Sequence, residues 1–278
     1  MTVAQWHERA VERLHAAGDP DAKTDASLFL CAVLQTERGR LRFLSDRELT
    51  HTETAALETM LARREEGEPE QYVEGAAYFM GLRFNVDSRA LIPRFDTEAL
   101  CEAAIGELKR FQKPRVLDMC TGSGCIAVAI AHFCPEAAVT ACDISIGALD
   151  LAKRNAALNG VSVEYIQSDG FWAVRNRRFD LIVCNPPYLT RLDMENLQRE
   201  VKYEPALALY GGEDGLDFYR RFAGEMRFCL AANAAVLFEV GQGQAETVAD
   251  LFAEAHPNAA IDTIKDLNGV KRAVRMRF

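Results

Sequence analysis

The 278-residue chain contains no apolar run approaching the roughly 20 residues that a membrane-crossing helix needs. Met1 to Ala10 is polar and amphipathic, without the apolar centre of a secretory signal. Both absences point to a cytoplasmic chain without a membrane partner. Nowhere does a Cys-x-x-Cys pair occur, although there are eight cysteines: Cys31, Cys101, Cys120, Cys125, Cys134, Cys142, Cys184 and Cys229. Most lie in apolar runs, where free cysteine behaves as a small buried hydrophobe. The five histidines show no ligand spacing either, so no metal site is expected. Excess positive charge is missing as well. The formal net charge is −9, whereas a duplex-DNA enzyme carries a basic footprint to replace counterions on phosphate. No direct nucleic-acid partner is expected, and a basic protein partner fits better. Internal repeats and low-complexity segments are also lacking. What remains, 49% hydrophobic and 26% charged residues, is ordinary for a soluble globular protein.

The first 65 or so residues read as helices. Apolar residues recur at helical spacing through Trp6, Ala10, Val11 and Leu14, then through Ala26, Phe29, Leu30, Val33 and Leu34. A third helix is expected over 52–64, with Leu57, Met60 and Leu61 on one face. Glu65-Glu66-Gly67-Glu68-Pro69 is polar and rich in breakers, a candidate linker. Partial alternation through Tyr78, Phe79, Leu82, Phe84 and Val86, with Gly81 near the middle, predicts a β-hairpin within 77–91. From Arg115 onward strand and helix signals alternate, which implies a doubly wound α/β sheet. Strands are expected at 115–119, 138–142, 163–167, 181–184 and 235–240, with two short ones near 261–264 and 273–278. Helices are expected at 124–133, 148–158, 216–230 and 244–255.

Two stretches carry chemistry. The first strand runs into Asp118-Met119-Cys120-Thr121-Gly122-Ser123-Gly124 and then a helix. Gly122 and Gly124 permit tight backbone turns and close ligand approach, and the helix start offers unpaired N–H groups. About 20 residues on, Asp143 ends the second strand, where a carboxylate can accept both ribose hydroxyls. A dinucleotide site would want a third glycine, and Ala127 stands there. The turn alone is compatible with S-adenosylmethionine, with a dinucleotide or with a plain tight strand–helix connection. Ser168-Asp169 follows the third strand, where an acidic group can meet an adenine amino group or simply cap a helix.

Asn185-Pro186-Pro187-Tyr188, directly after the apolar strand Leu181-Ile182-Val183-Cys184, is the most specific feature. An amide nitrogen is a poor nucleophile because its lone pair is delocalised into the carbonyl. A site that methylates one must hold it in line with the methyl–sulfur bond. The Asn185 side-chain oxygen and a backbone carbonyl of the Pro-Pro segment can both accept hydrogen bonds from an NH2 group. The prolines restrict that backbone in advance, and Tyr188 offers a flat face to the planar amide. The alternative is a proline-stiffened turn ending a strand.

With these residues in place the chain resembles the protein-(glutamine-N5) methyltransferases that modify peptide chain release factors. The likeness continues in Leu91-Ile92-Pro93-Arg94-Phe95-Asp96-Thr97-Glu98, in Glu200-Val201 with Glu204-Pro205-Ala206, and in Gly211-Gly212 with Asp214-Gly215-Leu216. It extends to Phe238-Glu239-Val240-Gly241 and to Asp266-Leu267-Asn268-Gly269-Val270 with Arg272. It covers essentially the whole chain. The resemblance implies a mostly parallel, seven-stranded, Rossmann-like methyltransferase sheet with a small N-terminal helical domain. It implies a helical substrate-recognition domain over 1–68, a linker and hairpin over 69–92, and the S-adenosylmethionine-dependent domain over 93–278. Cys120, Thr121, Gly122, Ser123 and Gly124 would line the methionine part of the cofactor, Asp143 its ribose, and Asp169 and Gly170 its adenine end. Asn185, Pro186, Pro187 and Tyr188 would hold the substrate glutamine of a Gly-Gly-Gln loop, with Asn185 also beside the cofactor. A monomer acting on the release factor is expected.

Three departures stand out. Cys120 replaces the first glycine of the turn, and Phe95 replaces a proline. Gly170 stands where an aromatic residue often lies on adenine, so Phe171 or Trp172 is expected to substitute. Among other activities, a glutamine methyltransferase of a large-subunit ribosomal protein shares the main motifs. The triplet Asp96-Thr97-Glu98 and the 266–272 ending favour the release-factor enzyme. A DNA adenine-N6 methyltransferase would use the same motif on a flipped base, but it calls for a basic cleft. A non-catalytic interaction protein would not need an intact Asn-Pro-Pro-Tyr.

Overall fold

The computed structural model describes residues 1–278 and divides into two compact units, Met1–Ala76 with Gln198–Tyr203, and Ala77–Leu197 with Glu204–Phe278. In the first unit, helices α1 (Val3–Ala16), α2 (Ala22–Leu34), α3 (His51–Glu65) and α4 (Glu70–Glu74) enclose a small core. Helix α1 starts at a capping box, Thr2 with Gln5, and buries Val3, Trp6, Ala10 and Leu14 along one stripe. Trp6 is fully buried, and its indole N–H donates to Glu58 Oε1 at 2.8 Å. Beneath this core the Arg64 guanidinium is buried and donates to Asp25 (2.7 Å) and Asp19 (3.0 Å), with Glu200 at 3.2 Å. A buried guanidinium persists only where carboxylates replace its water.

The expected linker is folded instead. Gly67 and Pro69 are buried, and Pro69 caps α4. Arg63 grips the Glu68 carboxylate at 2.7 and 2.6 Å and donates to the Tyr72 carbonyl at 2.9 Å. Two of the three charges that made this stretch look solvent-borne are taken up by arginines outside it, Glu68 by Arg63 and Glu65 by Arg13.

The second unit begins with a hairpin, β1 (Ala76–Phe79) and β2 (Leu82–Asn85), followed by α5 (Phe95–Leu108). Then come β3 (Arg115–Met119), α6 (Cys125–Phe133), β4 (Ala138–Asp143), α7 (Ile146–Leu158), β5 (Glu164–Gln167) and β6 (Phe179–Cys184). After α8 (Arg191–Glu195) and α9 (Asp217–Glu225), β7 (Leu230–Glu239), α10 (Ala245–Ala255), β8 (Ala260–Lys265) and β9 (Lys271–Arg277) finish the chain. The strands form one seven-stranded sheet in the order β5-β4-β3-β6-β7-β9-β8, with only β9 running antiparallel to its neighbours. Leu181 to Cys184 are wholly buried, the uninterrupted apolar run of a strand covered on both faces. In register, Val116 to Met119 of β3 lie beside Leu181 to Cys184 of β6. The expected sheet and its mostly parallel character are confirmed.

Helix α5 was not foreseen. It follows Pro93 directly, has no side-chain cap and lacks a dominant polar face, so sequence periodicity is weak there. Buried Glu107 near its end accepts bonds from Arg275 (3.1 Å) and Arg277, which ties the helix to β9. No helix of either unit is long and apolar enough to cross a membrane.

Candidate active site

Beyond the carboxyl ends of β3, β4, β5 and β6 lies a cleft with about 1120 Å³ of empty space, its open mouth included. The strand order reverses between β3 and β6 there, the place where doubly wound sheets hold ligands. Cys120, Thr121, Gly122, Ser123, Asp143, Asp169, Gly170, Asn185 and Pro187 all line it. Of the expected site residues, Gly124, Pro186 and Tyr188 do not.

Asp118 organises the first turn. Its carboxylate is fully buried and accepts from the Thr121 hydroxyl at 2.5 Å and the Ala127 amide at 3.1 Å, across the start of α6. Burial pushes its pKa up to about 7. Gly122 (φ +54°) presents open space where a side chain would stand, the nearest atom lying 3.9 Å away. Gly124 does a different job: a Cβ there would meet Ala152 Cβ of α7 at 2.8 Å, so this glycine serves packing. The turn is further fixed by Asn155, wholly buried in α7, which donates to the carbonyls of Ser123 (2.9 Å) and Asn85 (3.0 Å).

Cys120, in place of the first glycine, holds φ at +60°. A side chain in that region costs about 1–3 kcal/mol, partly offset by packing of Cys120 against the core beneath the turn. Replacement by glycine relieves strain but frees the unfolded chain. Cys120→Gly is therefore expected to stay within about 1 kcal/mol of the parent, whereas Cys120→Val, β-branched in this region, should lose at least about 2 kcal/mol. Thermal melting of the two variants checks the ordering.

Asp143 projects into the cleft from the end of β4. One oxygen accepts from Gly122 N–H and the other from Ser145 N–H, both at 2.9 Å. Burial raises its pKa while these backbone bonds oppose the rise. Both oxygens keep lone pairs for a further donor. Asp169, more exposed, is bound by Arg221 Nη1 at 2.6 Å, and Arg221 Nε is held by Glu225 at 2.8 Å. A Cβ on Gly170 would lie 2.7 Å from Glu225 Oε2 and 2.8 Å from Arg221 Nη2, so this ion pair fills the space that a side chain at position 170 would take. Neither proposed substitute reaches the cleft. Phe171 is buried against Phe222 at 5.2 Å between ring centres, and Trp172 is 69% exposed with Arg175 over its ring. The aromatic side chains that do line the cleft are Phe218 and Phe222.

At the end of β6, Asn185 faces the cleft. Its Nδ2 donates to Thr97 Oγ1 of α5 at 3.3 Å, and its Oδ1 has no protein donor. Pro186 and Pro187 are buried, and the Tyr188 ring packs on the core beside Gly241. The Tyr188 carbonyl accepts from Gln244 at 3.1 Å. Gly215 (φ +76°) has no room for a side chain, because a Cβ would lie 2.3 Å from the Tyr188 carbonyl oxygen. The opposite wall is Leu91 to Arg94, pinned where buried Glu204 accepts from Ile92 N–H at 2.9 Å and pairs with Arg94. Thr97, Glu204 and Arg221 were not singled out as site residues. The first two lie in segments whose likeness to the family was noted, but nothing in their spacing gives them a role.

Comparison with known proteins agrees with this geometry. The family model "Methyltransferase small domain" matches residues 85–203, and "PrmC N-terminal domain" matches residues 5–75. A release factor glutamine methyltransferase of Geobacter sulfurreducens is 41% identical, over 94% of this chain and 91% of that protein. The protein of the same name from Deinococcus radiodurans is 39% identical over 100% and 99% of the two chains. This chain belongs to the release factor glutamine methyltransferases. The fold likeness reaches further: a methyltransferase structure from Pyrococcus furiosus, 16% identical, aligns over 82% of this chain and 98% of that one with a TM-score of 0.52. As a release factor glutamine methyltransferase, the chain is an enzyme with S-adenosylmethionine as methyl donor. The cleft suits that donor. A carboxylate stands at the end of β4, and Gly122 leaves open space on the cleft side of the turn.

Proposed function

We propose that this enzyme methylates the side-chain amide nitrogen of the glutamine in the Gly-Gly-Gln loop of peptide chain release factors. The observation that carries the reading is the orientation of Asn185. With Nδ2 committed to Thr97, the amide presents Oδ1, an acceptor, to the cleft. An acceptor there suits an incoming NH2 group, which donates its two hydrogens in the amide plane and leaves the face of its nitrogen, normal to that plane, open to the methyl group. A backbone carbonyl of the Pro186–Pro187 segment takes the second hydrogen. Buried prolines keep that backbone from relaxing, so the nitrogen is held in one orientation.

The bound donor supplies the methyl group. Asp143 holds its ribose hydroxyls, the backbone of 120–123 borders its methionine part, and Asp169, Gly170 and Arg221 lie at its adenine end. Residues 1–68 recognise the protein substrate, a role supported by the match of the "PrmC N-terminal domain" model to residues 5–75. The enzyme acts without a nucleic-acid partner in this reading, which the formal net charge of −9 supports.

Labelled methyl transfer to purified release factors, ribosomal proteins and DNA, side by side, tests the assignment. Label is expected on the release factor alone, and it should vanish when the acceptor glutamine is replaced. Label only on DNA or only on a ribosomal protein overturns the substrate assignment.

A further inference from the structure

Strand β7 ends in a residue that packing does not explain. Ala234 to Phe238 are all fully buried and apolar, and Glu239 follows them at 2% exposure. A carboxyl group taken out of water without an ion pair is costly, and burial pushes this one up to about 7. No cation forms an ion pair with it, although the charge of Arg272 opposes the rise. The nearby Arg272 guanidinium is bound to Asp96 (2.6 Å) and Asp266 (3.1 Å) instead. Glu239 Oε2 has no partner at all. Parallel pairing of Phe238 with Cys184 sets Glu239 beside Asn185 at the ends of adjacent strands, and the Thr97 hydroxyl and the Asn185 side-chain amide are the polar groups that oppose the rise in its pKa. Thr97 in turn accepts from Asn185 Nδ2 at 3.3 Å. These three side chains come together from α5, the end of β6 and the end of β7. Only Thr97 and Asn185 reach the cleft, so Glu239 touches no reacting atom.

We propose that Glu239, with Thr97, is a positioning residue that fixes the Asn185 amide with its oxygen toward the substrate nitrogen. This rests on Asn185 being the amide clamp. A free asparagine amide has two nearly equivalent orientations, and in one of them NH2 would face NH2 across the cleft. Acceptors behind Nδ2 remove the second orientation. Glutamate is an acceptor in its charged form and retains a carbonyl acceptor when protonated, so the hold persists in either state.

The test is a double-mutant cycle read in kcat, with donor affinity and melting temperature measured on each variant. Glu239→Leu is expected to lower kcat by about tenfold to a hundredfold with donor affinity unchanged within a few-fold, since only alignment is lost. Thr97→Val should act in the same direction, and Glu239→Gln, which keeps an acceptor, should recover most of the loss. In an Asn185→Ala background, Glu239→Leu should have almost no further effect on kcat, because its partner is gone. A full multiplicative loss in that background, or near-parental kcat for Glu239→Leu in the presence of Asn185, overturns the proposal. If Glu239→Leu does not fold, Thr97→Val carries the same cycle with the same two readings. Parental turnover by Asn185→Ala itself is a separate outcome, and it removes the amide clamp rather than its support.

Discussion

Asn185→Ala is expected to lower kcat on the release factor by at least about a hundredfold, since loss of one preorganised polar contact typically costs roughly 10²–10³ in turnover. Donor affinity should stay within a few-fold, because in the proposed clamp the side chain acts on the acceptor nitrogen rather than on the ribose or adenine. Alanine removes both the acceptor facing the cleft and the donor that binds Thr97. Asn185→Asp is informative beside it. It keeps an acceptor toward the substrate but places a second acceptor against Thr97 and the buried Glu239, so its loss should also be large. Single-turnover labelling with saturating donor separates the two effects, and a near-parental rate for Asn185→Ala would falsify the clamp.

Asp143→Ala should weaken donor binding by about ten- to a hundredfold, taking about 1.5–3 kcal/mol for hydrogen bonds to a charged group. Two contributions act together. The acceptors proposed for the ribose hydroxyls disappear, and Gly122 N–H and Ser145 N–H lose the carboxylate that orders them. In the unliganded protein the second loss is partly offset, because a carboxyl raised in pKa by burial is no longer held out of water. Melting without ligand should therefore change less than melting with it. Titration calorimetry settles the point: unaltered donor affinity would remove Asp143 from the site.

The sheet was legible in the sequence because parallel strands buried on both faces read as short apolar runs between helices, as in Leu181 to Cys184. The turn after β3 and the Asn185–Tyr188 motif were legible because unusual backbone demands call for unusual residues. What stayed hidden depends on distance in the chain. Thr97 and Asn185 are 88 residues apart, and no local pattern announces that one will orient the other. Similarly, Gly124 and Gly122 look alike in the motif, yet one packs against Ala152 and the other opens on the cleft. Arg221 reaches Asp169 and Gly170 from α9, some 52 residues further along the chain. The linker misled because polarity was read as exposure, when Arg63 and Glu68 neutralise each other in a folded turn.

The register of β3 against β6 has a consequence for the reaction itself. Met119 lies beside Cys184, so the turn beginning at Cys120 and the motif beginning at Asn185, proposed to hold donor and acceptor, leave the sheet at the same level on adjacent strands. Neighbouring strands stand about 4.8 Å apart, which makes the sheet a ruler for the gap between the two halves of the chemistry. A slip of two residues would keep every side chain on its own face yet carry Asn185 about 6.6 Å along the strand, well outside the reach of in-line transfer. Core substitutions under β3 and β6 can therefore silence the enzyme while leaving its helix and strand content untouched.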